Sequence, residues 1–156
     1  MKNKNLSLLV LEKLKKQKRT ISFAESITGG NISGEFVKNV GASKVFMGGI
    51  IAYSDDAKKK LLGVKQNTLN NYGAVSEKTV KEMCTGLKKL FNTDITISIS
   101  GIAGPDGGTK QKPVGTVYFG FMFGKKFYAK KEIFHGSRVY IMLRAINKVF
   151  TEILKN

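Results

Sequence analysis

The stretch TISFAESITGGNISGEFVKN, residues 20–39, contains the residues of a strand, a glycine-rich turn and a helix in succession. TISFAE at 20–25 is rich in β-branched and aromatic residues and predicts a short strand, which SITGG at 26–30 ends as a turn. A helix is predicted over 29–39, because apolar residues recur there at helical spacing: Ile32, Phe36, Val37 and Val40. Such a unit is typical of a fold that alternates strands and helices.

The rest of the chain continues the alternation. Further helices are predicted over 5–18, from Ser54 to Gly63, from Ser76 to Phe91 and over 139–154. A buried strand is predicted at 46–53, another strand at 94–100, and a hairpin that turns at Gly124-Lys125. The apolar faces of the helices predicted over 5–18, 76–91 and 139–154 are expected to include Leu9, Leu90, Val139, Leu143 and their neighbours at helical spacing. Helices interleaved with strands and one hairpin predict a mixed sheet covered on both faces.

Composition excludes several classes of protein. The 156 residues include 42% hydrophobic and 10% aromatic residues, enough for the core of one domain. One cysteine cannot form an internal disulfide, and one cysteine with one histidine makes a zinc site improbable. The apolar runs are too short to span a membrane, and no secretory signal is evident. We therefore expect a cytoplasmic domain without metal or other cofactor.

The net charge of +16 has two interpretations. Of 27 basic residues only three are arginines, namely Arg19, Arg138 and Arg144, whereas planar recognition of phosphate favours arginine. The lysines are spread over most of the chain, as expected of a solvated surface. The excess charge also suits attraction of an anion, from a mononucleotide to a nucleic acid. Any nucleic-acid binding should be weak, independent of sequence and sensitive to salt.

Two glycine-rich loops are candidates for a ligand site. SITGG at 26–30 and GIAGPDGG at 101–108 both follow predicted strands, where open α/β sheets bind ligands. Backbone N–H groups in such turns can converge on an anion or an oxyanion. Neither loop matches the P-loop or the G-x-G-x-x-G pattern, which disfavours NTP hydrolysis and dinucleotide binding.

Ser26 lies in the first of these loops, either as a helix N-cap or as a nucleophile near an oxyanion hole. A Ser-His-Asp triad is hard to build, since the only histidine is the distant His135. A lysine base is the alternative, and Lys58, near a helix start after Tyr53, is one candidate. Composition alone does not separate Lys58 from the two lysines that follow it. Cys84 lies in an apolar stripe and is predicted to be a core thiol.

Five segments together resemble one family. AESITGG (24–30), GGIIAYSDDAK (48–58), GAVS (73–76), SGIAGPDGG (100–108) and KPVGTVYF (112–119) are similar, in order and spacing, to the CinA C-terminal family. That family of competence/damage-inducible protein domains includes bacterial nicotinamide-nucleotide amidases, also called nicotinamide mononucleotide (NMN) deamidases. The resemblance implies a single α/β domain over 1–156, with three layers (α/β/α) and a mixed sheet. It also implies a stand-alone, metal-free amidase that forms a homo-oligomer, often a dimer, and takes part in NAD recycling.

The resemblance also implies roles for individual residues. Ser26 would be the nucleophile that hydrolyses NMN to nicotinate mononucleotide and ammonia, with Tyr53 and Lys58 as proton-transfer partners. Substrate would be bound by the two glycine loops and the last helix, with N–H groups of the first loop at the oxyanion: Thr28, Gly29, Gly30, Gly101, Gly104, Gly107, Gly108 and Arg138.

The chain departs from the family pattern at two positions. Asp55 stands where asparagine is usual, and Met142 stands where a second arginine is usual, which weakens the role of the Arg138 segment in phosphate binding. The competence-linked name of the family and the net charge of +16 allow an alternative function, a catalytically inactive module that binds a nucleotide or nucleic acid. A purely structural, lysine-rich oligomeric domain is the third hypothesis.

Overall fold

The computed structural model describes residues 5–156. Within them the chain forms five strands: β1 (Ile21–Glu25), β2 (Phe46–Ile51), β3 (Ile95–Gly101), β4 (Thr116–Phe123) and β5 (Lys126–Ile133). It also forms six α-helices: α1 (Leu6–Gln17), α2 (Asn31–Val37), α3 (Asp55–Leu62), α4 (Gln66–Tyr72), α5 (Glu77–Phe91) and α6 (Arg138–Lys155). No helix in this part of the chain combines the length and the apolar character needed to cross a bilayer.

The strands form one mixed sheet in the order β2-β1-β3-β4-β5. β1 pairs in parallel with β2 and β3, whereas β3, β4 and β5 pair antiparallel. α1, α2 and α6 cover one face of the sheet, and α5 crosses the other face with α3 and α4 packed beside it. The predicted three-layer α/β/α architecture with a mixed sheet is confirmed.

The two faces of the sheet differ in chemistry. Large apolar side chains from β1, β3 and β4 pack against α1, α2 and α6 and include Phe23, Ile97, Phe119 and Phe121. The face under α5 carries small polar side chains, which are buried and hydrogen-bonded. Ser98, for example, donates to the Val80 carbonyl oxygen at 2.7 Å. The alternation of Ile with Ser or Thr in β3 therefore separates two buried environments, since buried hydroxyls are tolerated when they are bonded.

Local chemistry explains most boundaries of the helices. Ser54 and Ser76 cap α3 and α5, because their hydroxyls accept from backbone N–H groups three residues later. Gly63 ends α3 in the left-handed conformation, as predicted. Gly29 and Gly30 also have positive φ, so α2 begins at Asn31 and not at residue 29. α4 was not predicted, because QNTLNNY has no extended apolar stripe.

Some predicted core positions are wrong. β2 is an edge strand with one hydrogen-bonded neighbour, so its residues alternate between partly buried and exposed, and 46–53 is not a buried strand. Several side chains assigned to apolar helix faces are exposed instead: Leu9, Val37, Val40, Leu90, Val139 and Leu143. Of these, Val139 and Leu143 border a groove of about 760 Å³ between α1, α2 and α6. The homo-oligomer stays a prediction.

Two helical glycines provide a test of the packing between α3 and α5. A Cβ on Gly86 would lie 1.9 Å from the Leu62 carbonyl oxygen, whereas one on Gly34 would meet nothing within 4 Å. Gly86→Ala should lower the free energy of unfolding by about 1–3 kcal/mol, because the backbone of α3 must move. Gly34→Ala should leave it unchanged or raise it by up to about 1 kcal/mol. Urea denaturation of both variants measures this, and equal effects would contradict the packing.

Candidate active site

The carboxyl ends of the three parallel strands meet at one edge of the sheet. Ser26 follows β1, Tyr53 lies two residues after β2, and Gly101 ends β3. Together with the loop after β3, they surround a cavity of about 280 Å³. Its lining comprises Ser26, Ile27, Tyr53, Asp55, Lys58, Ala74, Val75, Ser100, Gly101, Ile102, Ala103, Gly104, Asp106, Gly107 and Arg138.

The carboxylate of Glu25 fixes the turn that carries Ser26. Glu25 is 1% exposed and sits at the amino end of α2. Its Oε2 accepts from the Ile32 N–H at 3.0 Å and its Oε1 from the Ser33 N–H at 2.8 Å. The Thr28 hydroxyl and the Gly30 N–H donate to the same carboxylate at 2.6 and 3.1 Å. Because a protein carboxylate occupies the positive end of α2, that end is not free for a substrate anion.

Ser26 faces α3 rather than α2. Its hydroxyl oxygen lies 3.1 Å from the Lys58 Nζ, and both side chains are buried. The N-cap interpretation of Ser26 is therefore wrong, since Gly30 occupies the N-cap position and Glu25 accepts the N–H bonds of α2. The structure thus brings together a hydroxyl and an amine at hydrogen-bond distance, which is the geometry of a Ser-Lys nucleophile and base.

Burial changes the proton affinity of Lys58. The side chain is enclosed, and desolvation lowers the pKa of Lys58, while the Asp55 carboxylate, with its Oδ1 4.0 Å from Nζ, raises it in part. Nζ also donates to the Tyr53 carbonyl oxygen at 3.0 Å. A neutral amine in this position would keep its lone pair for the Ser26 hydroxyl proton. Lys59 and Lys60 instead lie near the Asp56 carboxylate on the outer side of α3.

The phenol of Tyr53 bonds to Arg138 and not to the Ser26–Lys58 pair, for which it was predicted to relay protons. Its side chain is 59% exposed, and its hydroxyl accepts from Arg138 Nη2 at 2.8 Å. The phenol bonds to neither Ser26 nor Lys58; only the main-chain carbonyl of Tyr53 reaches Lys58. Arg138 also donates through Nη1 to the Gly104 carbonyl oxygen at 2.8 Å. The guanidinium therefore links the end of β2 to the loop after β3.

The predicted substrate-binding residues divide into two groups. Gly101, Gly104, Gly107 and Arg138 line the cavity, whereas the remaining four are absent from its lining: Thr28, Gly29, Gly30 and Gly108. Gly108 packs against the backbone at Val114.

The oxyanion assignment needs a correction at two glycines. The Gly29 N–H donates to the Ser26 carbonyl oxygen at 3.0 Å and the Gly30 N–H to Glu25, so neither is free for an oxyanion. Among the described residues, the N–H groups of Ile27 and Thr28 have no backbone partner.

Sequence reasoning missed three polar residues of this region. Glu25, Ser100 and Asp106 received no role, although all three lie inside the motifs AESITGG and SGIAGPDGG. Their position within these motifs was the available signal. His135 is absent from the lining of the cavity, in agreement with the argument against a histidine triad. Cys84 is buried beneath the sheet, where desolvation raises the pKa of its thiol to about 12, so the predicted core thiol is confirmed.

The sequence matches one family over nearly its whole length. The model of the CinA C-terminal domain matches residues 3–156. The chain belongs to the CinA C-terminal domain family. It is 49% identical over 151 residues to a CinA-like protein of Petrotoga mobilis, covering 97% of this chain and 38% of that protein. A CinA-like protein of Kosmotoga olearia is 52% identical over 141 residues, covering 90% of this chain and 34% of the relative.

Solved structures share the fold. The competence damage-inducible protein A (ComA) of Klebsiella pneumoniae superposes with a TM-score of 0.94 at 32% identity, over 97% of this chain and 94% of that chain. A competence-damaged protein (CinA) superfamily protein of Escherichia coli gives a TM-score of 0.93 at 29% identity, over 99% and 92%. The chain thus spans about the full length of these solved chains, but only a third or slightly more of the curated relatives above, 38% and 34%.

The role of Glu25 can be tested by stability. Glu25→Gln should lower the free energy of unfolding by about 1–3 kcal/mol, because an amide N–H₂ then faces N–H donors at the start of α2. Glu35→Gln, in the same helix, removes a carboxylate whose ion pair with Lys38 is on the surface, and should change stability by less than about 0.5 kcal/mol. Chemical denaturation at neutral pH compares them. A Glu25→Gln variant as stable as Glu35→Gln would refute the capping role.

Proposed function

We propose that this chain is a nicotinamide-nucleotide amidase that hydrolyses the carboxamide of NMN to nicotinate mononucleotide and ammonia. The observation that carries the proposal is the buried pair of Ser26 Oγ and Lys58 Nζ, 3.1 Å apart, at the wall of a cavity. A hydroxyl beside a desolvated amine is suited to acyl transfer from an amide. The cavity volume of about 280 Å³ suits a small molecule better than a polymer.

Acylation begins with the neutral amine of Lys58. As Ser26 Oγ bonds to the carboxamide carbon, its proton passes to Lys58 Nζ and the carbonyl oxygen becomes an oxyanion. We assign the N–H group of Ile27, which directly follows the nucleophile and lines the cavity, to that oxyanion, since Gly29 and Gly30 are already bonded. The C–N bond then breaks as Lys58 returns the proton to the leaving nitrogen, which departs as ammonia.

Deacylation uses the same residues in reverse. A water molecule gives a proton to Lys58 and attacks the ester carbon, and the bond to Ser26 Oγ breaks as Oγ regains the proton. The Tyr53 carbonyl keeps Nζ in place through both steps by accepting one of its hydrogens. The Tyr53 phenol serves instead to hold Arg138.

The nucleotide portion of the substrate would extend toward Arg138 and the loop after β3. The guanidinium is the one arginine of the cavity lining among residues 5–156, and it can pair with a phosphate in a planar, bidentate manner. The Asp55 and Asp106 carboxylates in the same lining disfavour a second anionic group. This distribution of charge supports a monophosphate with an uncharged carboxamide at the Ser26 end.

The nucleophile is tested by substitution of Ser26. Ser26→Ala should lower kcat/KM for ammonia release from NMN by a factor on the order of 10³ or more, because the covalent route is lost. Ser43→Ala, at an exposed position of the short 3₁₀ helix Ala42–Lys44 and outside the cavity lining, should retain wild-type turnover. Mass spectrometry of quenched wild-type reactions should detect an ester of the whole nicotinate mononucleotide, and its site should be Ser26. Activity in Ser26→Ala would exclude the covalent mechanism.

The base is tested by three adjacent lysines. Lys58→Met should abolish turnover, whereas Lys59→Met and Lys60→Met should retain it within about threefold, because successive helical residues point about 100° apart. The pH dependence follows from desolvation, which lowers the pKa of Lys58 from 10.5, so that the amine is neutral at lower pH than a free lysine. In the wild type, kcat/KM should rise with pH, and the midpoint of that rise should lie below pH 10.5. Loss of activity in Lys59→Met or Lys60→Met alone would assign the base to another residue.

A further inference from the structure

The amino ends of the parallel strands form a second chemically distinct surface, opposite the cavity. Four segments meet there: 18–20, 44–45, 88–94 and 123–126. The Ile21 N–H donates to the Val45 carbonyl oxygen at 2.8 Å, that of Ile95 to Thr20 at 2.9 Å and that of Gly124 to Asp94 at 2.8 Å. These bonds make the four segments direct neighbours across β2, β1, β3 and β4. We call this surface the basic end.

The basic end concentrates positive charge that is dispersed in the sequence. It carries seven cationic side chains, from Lys18, Arg19, Lys44, Lys88, Lys89, Lys125 and Lys126, against one carboxylate, that of Asp94. Within residues 5–156 none of the seven forms an ion pair, whereas many lysines elsewhere do, such as Lys38 with Glu35 and Lys60 with Asp56. The Asp94 carboxylate is held by Thr20, whose N–H and hydroxyl donate to it at 2.7 and 2.9 Å.

Helix dipoles account for only part of this charge. α1 and α5 end here, and each helix terminus is equivalent to about half a negative charge. Lys88 compensates the negative end of α5, since its Nζ donates to the Thr93 carbonyl oxygen just beyond the helix. Lys18, Lys44, Lys125 and Lys126 remain exposed, and a concavity of about 380 Å³ lies between Lys15, Lys18, Arg19 and Lys44. The surplus of cations is therefore available to an external anion.

The geometry points to a nucleic-acid strand as that anion. We propose that the basic end binds the phosphodiester backbone of a single-stranded nucleic acid without reading its sequence. Adjacent strands are about 4.8 Å apart, so the row from β2 to β5 is about 20 Å long. A row of that length can contact several successive phosphates of one strand. The lysines supply charge without the planar arginine contacts that read base edges, which is why no sequence preference is expected.

This function is separate from the proposed amidase. The strands between the two ends are five to eight residues long, so the basic end and the cavity lie about 15–25 Å apart. A bound strand would leave Ser26 and Arg138 uncovered. Binding at the basic end can therefore succeed or fail independently of ammonia release.

Two charge-matched triple variants test the proposal. The first, Lys18→Gln with Lys44→Gln and Lys125→Gln, removes three cations from the basic end. The second, Lys60→Gln with Lys65→Gln and Lys78→Gln, removes three exposed cations, from α3, from the residue that precedes α4 and from α5. Binding of a fluorescent 20-nucleotide single-stranded DNA of mixed sequence is measured by anisotropy between 50 and 200 mM KCl, with the whole chain.

The basic-end variant should bind the DNA at least tenfold more weakly at 100 mM KCl. The slope of log Kobs against log [KCl] should be shallower by about 2, because each lost phosphate contact changes that slope by about 0.7. The control should remain within about twofold of wild type. Equal losses in both variants, absence of binding at 50 mM KCl, or a stronger response to phosphatidylserine vesicles than to DNA would each overturn the proposal. Ser26→Ala should bind DNA as wild type does, and the basic-end variant should release ammonia normally, so failure of one function is distinguishable from failure of the other.

Discussion

The position of Ser26 depends on the carboxylate that precedes it. Glu25 leaves the end of β1 and accepts the N–H groups that open α2, together with two donors of the turn. A carboxylate of the protein itself therefore occupies the positive end of α2. The turn is held from within, and Ser26 is directed away from α2 toward α3. An open amino end of α2 would have been a natural anion site. With Glu25 there, Ser26 borders the cavity on the side of α3 instead.

The burial of Lys58 is the second constraint on the structure around the cavity. A buried lysine is stable in a fold only when its nitrogen is bonded or its charge is lost. Here the Tyr53 carbonyl and the Ser26 hydroxyl provide the bonds, and desolvation lowers the pKa of Lys58. Asp55 opposes that shift, because its carboxylate Oδ1 lies 4.0 Å from the Lys58 Nζ. The Tyr53 carbonyl bonds to Lys58 and the Tyr53 phenol to Arg138, so Tyr53 links two charged residues of the cavity lining.

The sequence predicted the elements well and their environments less well. Periodicity located all five strands, because Ile-rich alternation in β3 and the turn at Gly124 are local signals. It placed β2 in the interior, since FMGGIIAY is apolar throughout, but strand order is a non-local property and left β2 at an edge. The prediction of the cavity shows the same difference between local and non-local information. Ser26, Lys58 and Arg138 were candidates from motifs, whereas the bonds of Glu25 and the Tyr53–Arg138 contact depend on residues that only folding brings together.

The distribution of charge over the surface is the clearest property that the sequence did not predict. Along the chain the lysines look evenly spread, and that pattern favours a solvated surface. In the fold, however, α1 and α5 both end where the parallel strands begin, and the β4–β5 turn closes at the same edge. One surface therefore collects the cations at the helix ends, those before the strands and those in the hairpin turn. The carboxylates lie mostly with ion-pair partners elsewhere. Because strand direction separates that surface from the cavity, one small sheet carries a buried lysine with a lowered pKa at one end of its strands and exposed lysines at the other end.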